Sequence, residues 1–255
     1  MAHLHRGRGW LRRGDTSAPL RQLLPETRAT VLLYHLFGID GSEQSISPAR
    51  FEEQLTWLQS QGIEIITAGE LTRFLEGSLA LPASVAVLTL DDSHKSTYTR
   101  AFPLLKKHGI RFTLALNTEA IERHRAEALT WEQVREMVAS GLCELASHSH
   151  IHGHMDRLTR ERNREEAELS RSILEARTGV RPEVFVFPFG GNDAAVRKVA
   201  EDAGYRAAFA LGMSPVREGS PRFQIPRYGV MKGTSMRALA ERFHEAREES
   251  EQAKA

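Results

Sequence analysis

This sequence predicts an α/β fold with a parallel sheet covered on both faces, and three observations carry that expectation. Short apolar runs recur along the chain and are continuous rather than alternating, as strands buried on both faces require. Amphipathic segments with helix start and stop signals lie between them. The two kinds of segment alternate, and no repeat or low-complexity tract interrupts them. Such βα alternation leaves two architectures open, a (β/α) barrel or a doubly wound sheet.

The expected strands are VLLY (31–34), VAVLTL (85–90), FTLAL (112–116), LCELAS (142–147), VFVF (184–187) and AAFA (207–210). Ser47-Pro48 opens a helix with Phe51, Leu55 and Leu58 on one face and Gly62 beyond its end. Thr130 and Gln133 have capping-box spacing ahead of Val134, Met137 and Val138, and Gly141 closes that helix. Thr159 is expected to cap a long charged helix whose inner face is Leu169, Ile173 and Ala176. Asn192 is expected to cap DAAVRKVAEDAGY, which ends at Gly204. The Arg-rich first 29 residues read as a tail, residues 30–233 as one domain, and residues 234–255 as a charged terminal helix.

Bulk properties bound the function. The 255 residues are 41% hydrophobic and 26% charged, which suits one large domain with a sizeable core. A formal charge of +1 gives no reason to expect nucleic acid as a partner. The single cysteine, Cys143, excludes an internal disulfide framework and a cysteine-cluster metal site. No apolar run approaches the ~18 residues of a membrane span. The basic start lacks the apolar segment of a secretory signal, so the chain as written is expected in the cytoplasm, and outside it if a leader has been lost.

Polar clusters follow four of the apolar runs, which is where a barrel gathers its chemistry. VAVLTL runs into Asp91-Asp92-Ser93-His94, LCELAS into a run with His148, His150, His152 and His154, VFVF into Pro188-Phe189-Gly190-Gly191, and VLLY into His35. Adjacent carboxylates at a strand end point different ways, so one can ligate a metal while the other stays free as a base. An Asp-Asp pair can also merely turn the chain, but a buried strand presenting it argues for a site. Histidines four apart can grip one ion, and two such pairs are open here, His148/His152 and His150/His154. Carboxylate with imidazole is the mixed N/O set of a hydrolytic Zn²⁺ or similar divalent site.

These motifs carry a resemblance. LTLDDS resembles the first motif of the polysaccharide deacetylases (the NodB-homology domain, carbohydrate esterase family 4), written T-F-D-D-G. ELASHSHIHGH resembles their second, H-[ST]-x-x-H, and VFVFPFGG the F-x-Y-P-[FY]-G variant of the third. VLLYH and IPRYGV are similar to elements of the same subgroup, and the likeness runs from about Thr30 to about Gly233.

The resemblance implies a deformed (β/α) barrel of seven or eight strands. It implies Asp91 as general base, and a divalent metal, Zn²⁺ with Co²⁺ or Ni²⁺ as substitutes, on Asp92, His148 and His152. It implies that Arg227 orients Asp91 and that His35 contacts substrate or supplies the acid. Ser93, Pro188, Phe189, Gly190 and His150 are expected near the substrate, an N-acetylated amino sugar such as N-acetylglucosamine in an oligomer or polymer. Ser93 stands where the motif has glycine, and the family's late leucine-histidine motif is not visible, so His244 on the terminal helix is expected at the surface. Two rivals stay in view: a relative acting on a non-carbohydrate amide, formamide or ester, and a carbohydrate-binding protein without turnover.

Overall fold

In a computed structural model of the chain, residues 26–243 are described. In chain order the strands are β1 (Arg28–Tyr34), β2 (Leu36–Phe37), β3 (Ser45–Ile46), β4 (Glu64–Ile66), β5 (Ser84–Leu90), β6 (Phe112–Leu116), β7 (Cys143–Ser147), β8 (Val184–Val186), β9 (Ala207–Phe209) and β10 (Tyr228–Gly229). The α-helices are α1 (Pro48–Ser60), α2 (Ala68–Leu75), α3 (Phe102–His108), α4 (Thr118–Glu122), α5 (Trp131–Ala139), α6 (Arg160–Thr178) and α7 (Ala194–Asp202). All six expected runs are strands. Glu64–Ile66 and the two-residue strands carry too few residues to show a period and lie outside those six runs.

The main sheet has eight parallel strands in the order β10-β1-β5-β6-β7-β8-β9, with β4 also paired to β5. Its ends are brought together by the segment before β10. Ala210 N–H donates to the Ile225 carbonyl (2.8 Å) and Gly212 N–H to the Arg227 carbonyl (3.1 Å), so the continuation of β9 pairs with residues that lead into β10. The result is the deformed barrel, and the doubly wound alternative is set aside.

Two-residue alternation sorts the core. Ala29, Val31, Val85, Val87, Ala115, Ala146, Val184, Val186 and Ala207 pack inside the barrel, where small side chains fit. Leu32, Tyr34, Leu88, Leu90, Phe112 and Leu114 point the other way, into a layer shared with α1, α3 and α5. The amino-terminal floor is closed by α2. Ala68 N–H donates to Thr113 Oγ1 (2.9 Å), while Glu144 Oε1 accepts from Gly69 N–H (2.7 Å).

Local signals act as the sequence implied at most helix ends. Ser47 Oγ caps α1 ahead of Pro48, and Thr130 with Gln133 forms a reciprocal capping box on α5. Two expectations are corrected. The cap of α7 is Asp193, whose Oδ1 accepts from Val196 N–H (2.8 Å), because Asn192 is turned back to donate to the Gly190 carbonyl. The buried face of α6 is Asn163, Glu166, Ala167, Ser170, Arg171 and Leu174, whereas Leu169 is exposed. Polar residues turn inward there because each meets a partner, as when Asn163 Nδ2 donates to the Met155 carbonyl (2.8 Å).

The first strand begins at Arg28, inside the stretch read as a tail; residues 1–25 and 244–255, with His244 and most of the expected terminal helix, lie outside the described residues. Residues 236–243 are helical and set Leu239 and Phe243 into the core, with Phe243 5.8 Å from the Trp57 ring. No described helix is long and apolar enough to cross a membrane.

Leu88 is fully buried between the barrel and its helices. Leu88→Ala is expected to cost about 2–5 kcal/mol, read as a lower urea midpoint with an unchanged denaturant slope.

Candidate metal centre

The alternation inside the barrel does not stop where the strands stop. The inward positions Leu33, Thr89, Ala146 and Val186 are followed, two residues on, by His35, Asp91, His148 and Pro188. Ladder bonds persist past the strand ends, with Asp91 N–H donating to the Tyr34 carbonyl and His148 N–H to the Leu116 carbonyl (both 2.9 Å). His35, Asp91 and His148 are thereby delivered into the carboxyl-end mouth of the barrel. Asp92 would point away, but its φ of 73° and the 55° of Ser93 turn the chain so that its side chain returns to the same cavity.

Asp92, His148 and His152 meet there, with one potential ligand atom from each lying within 4.8 Å of the others. Asp92 Oδ1 is 3.4 Å from His148 Nε2 and 3.1 Å from His152 Nε2, and the two ring nitrogens are 3.1 Å apart. His148 Nδ1 is 2.8 Å from the Val186 carbonyl and, as the donor to it, leaves Nε2 with a lone pair facing the cluster. Asp92 Oδ1 is buried and, despite these close approaches, aligned with no hydrogen-bond donor. Three converging acceptor atoms, one of them orphaned, are the arrangement that a shared divalent cation satisfies. The donor set fits such an ion.

Electrostatics agree. Burial opposes the charge on Asp92, but the His148 and His152 rings outweigh it and hold the carboxyl far below the usual range. Burial likewise works against protonation of His148, and Asp91 and Asp92 more than reverse it, raising its pKa. Burial lowers the pKa of His35 despite both aspartates; its Nε2 lies 4.0 Å from Asp92 Oδ2 and its buried Nδ1 has no partner.

Asp91, 1% exposed, faces Arg227, 2% exposed: Nη1 donates to both Oδ1 and Oδ2 (2.9 Å each) and to Thr89 Oγ1 (3.1 Å), while Nε reaches the Ala210 carbonyl (3.3 Å). Asp91 Oδ2 is 3.5 Å from His148 Nε2, so the second carboxylate lies against the cluster without joining it.

A cavity of about 520 Å³ opens over these groups, lined also by Leu33, Gln44, Phe189, Gly190 and Tyr228 and rimmed by Leu211, Met213 and Met231. Of the residues expected at the substrate, Phe189 and Gly190 line it. Ser93 does not: its side chain is buried, accepting from Asn117 N–H (3.0 Å) and donating to the Asn117 carbonyl (3.2 Å), because the left-handed turn needs that tie. Pro188 is buried behind Phe189. His150 faces Thr118, with Nδ1 2.8 Å from Thr118 Oγ1, and is not part of the lining. His154 is also turned outward, stacked on Phe189 at 3.9 Å, and Phe189 in turn covers His152 at 4.7 Å. The rim residues went unread because isolated Leu and Met carry no motif.

A parallel barrel with an Asp/His/His cluster and a buried aspartate at its carboxyl-end mouth has the layout of a hydrolase. Residues 79–208 match the model of the polysaccharide deacetylase family, and the chain belongs to that family. It is 27% identical over 271 aligned positions to the poly-β-1,6-N-acetyl-D-glucosamine N-deacetylase of Escherichia coli (strain K12), covering 89% of this chain and 40% of that protein. The enzyme of the same name from Staphylococcus aureus (strain MSSA476) is 22% identical over 244, covering 84% and 82%. Among solved structures, IcaB of Ammonifex degensii superposes with a TM-score of 0.76 at 28% identity, over 86% of this chain and 97% of that one. Streptococcus pyogenes deacetylase PplD in complex with acetate reaches 0.79 at 20% identity over 86% and 99%, a likeness of fold.

Alanine at Asp92, His148 or His152 is expected to strip divalent metal from dialysed protein by elemental analysis. Alanine at His150 or His154 is expected to leave the content near that of the parent chain.

Proposed function

We propose that the protein is a divalent-metal-dependent N-deacetylase acting on an N-acetylated amino sugar, with N-acetylglucosamine oligomers or polymers as the substrate class and acetate as the released product. The observation that carries this reading is the pairing of Asp91 with Arg227 beside, but outside, the Asp92/His148/His152 cluster. Family membership and the names of the relatives support it.

Asp92, His148 and His152 would hold the ion, with Zn²⁺ suiting the N/O set and Co²⁺ or Ni²⁺ able to replace it. When bound, it supplies Lewis acidity to the acetamide carbonyl and acidity to a water molecule. Asp91 is the base: it takes the proton of the attacking water. Arg227 holds both Asp91 oxygens and so fixes the direction in which that proton is accepted. His35, whose Nε2 lies 4.0 Å from Asp92 Oδ2 in the same cavity, is the residue assigned to give a proton to the departing amine nitrogen. The exposed faces of Phe189, Leu211 and Met213 suit the C–H faces of pyranose rings, while Gln44 offers a polar contact.

The same apolar rim favours a second reading, an acylated amine or ester of lower polarity than a sugar. Only the walls of the cavity would differ between the two.

Metal-loaded protein is expected to release acetate from N-acetylglucosamine oligomers, and Asp91→Asn to abolish release while metal content stays at the parent level. Metal-loaded protein that releases no acetate from any acetylated sugar would overturn the deacetylase reading. His35→Gln is expected to lower kcat by about 10²–10⁴, the usual worth of a positioned acid or base, in steady-state assays at saturating oligomer.

A further inference from the structure

The four-histidine run leaves a question that the ligand set does not answer: what fixes the loop so that His148 and His152 face each other? Both ends of the turn are strained. Ser149 and His152 have φ of 63° and 56°, the left-handed region that non-glycine residues avoid. Within the loop one bond resists relaxation, His152 N–H to Ser149 Oγ (3.0 Å). The rest comes from outside.

Glu166, on the inward face of α6, has its side chain 1% exposed. Its Oε2 accepts the N–H of His150 (2.9 Å) and the N–H of Ile151 (2.8 Å), the two residues at the crest of the loop. Its Oε1 lies 3.0 Å from Arg162 Nη2, one turn earlier on the same helix. Successive backbone N–H groups converging on one carboxylate oxygen form an anion nest, here filled by a side chain of the protein itself. The opposite edge of the loop is held by α4, where Thr118 and Glu119 N–H groups donate to the Ser149 and His150 carbonyls (3.3 and 2.9 Å). Neither the packing of α6 nor its caps require a carboxylate at this position, and burying one is costly without such partners.

We propose that Glu166 is a positioning residue for the metal centre: it grips the crest of the His148–His152 loop and so sets the separation of the two ring nitrogens. The inference rests on the metal-binding reading given above. It also assigns His150, which is the gripped residue of the loop. Its N–H is on Glu166, its carbonyl on Glu119 and its ring on Thr118. Partners behind metal ligands typically change metal affinity by about 10–100-fold when removed.

The test is Zn²⁺ affinity of the full chain by competition with a chromogenic chelator, alongside the thermal midpoint of the metal-free protein. Glu166→Ala is expected to weaken Zn²⁺ about 10–100-fold, Glu166→Gln, which keeps an acceptor oxygen, distinctly less. Arg162→Ala, which leaves both N–H bonds in place, is expected to stay near the parent. Folded Glu166→Ala with parental Zn²⁺ affinity would overturn the proposal, as would a lowered midpoint with affinity per folded molecule unchanged. Should Glu166→Ala not fold, Glu166→Gln decides: weakened affinity with a folded protein supports the grip, parental affinity refutes it. A parent chain that binds no Zn²⁺ would instead bring down the metal-centre reading itself.

Discussion

The buried pair of Asp91 and Arg227 is the interaction on which both the barrel and its mouth depend. Arg227 immediately precedes β10, on the stretch whose carbonyls accept from the continuation of β9, the place where the sheet closes on itself. Its guanidinium spans the barrel from the Ala210 carbonyl to Thr89 and Asp91 at the end of β5. Each charge would be prohibitive to bury alone, and losing one partner of such a pair costs about 3–5 kcal/mol. One contact therefore links closure of the fold to the direction of a carboxylate.

Around that pair, the geometry follows from strand periodicity. Because side chains alternate, a strand that ends with an inward residue presents its next inward residue at the open mouth. His35, Asp91 and His148 arrive this way from β1, β5 and β7; β1 and β5 are neighbours, and β5 and β7 are separated by β6 alone. Residues of the opposite parity, Asp92 and Ser149, can reach the mouth or its supports only if the backbone turns, and it turns at those positions. The site is thus a product of register on three strands and of local reversal on two loops.

This division explains what could be read from the amino-acid sequence. The strands, the α1 and α5 caps, the Asp91-Asp92 pair and the histidine run are legible because each depends on residues close together in the chain, whereas spacing left two histidine pairs open and the choice of His148 with His152 came through resemblance. Arg227 was reached through resemblance, since no local pattern says that a residue over a hundred positions away will meet Asp91. The inner face of α6 was misread for a physical reason. Hydrophobicity assigns Leu169, Ile173 and Ala176 inward; Ile173 does pack against the core, but Leu169 and Ala176 are exposed and the helix turns Asn163, Glu166 and Ser170 to the interior, where hydrogen-bond partners wait. Ser93, expected at the substrate, is absent from the residues lining the cavity, and its hydroxyl is held by the Asn117 backbone.

Strain supplies the last step. Of the six non-glycine residues with positive φ among the described residues, Asp92, Ser93, Ser149, His152 and Phe189 border the mouth, and His124 lies apart. Each such conformation costs on the order of 1–3 kcal/mol, so the mouth carries much of the backbone strain in the fold. It persists because each turn is tied from outside: Ser93 to Asn117, the histidine loop to Glu166 and α4, Phe189 by stacking on His154. Glycine at these positions would relieve the strain and also free the loops. The residues present hold the turns that carry Asp92 and His152 in one conformation, so the three groups of the Asp92/His148/His152 cluster converge within the fold itself.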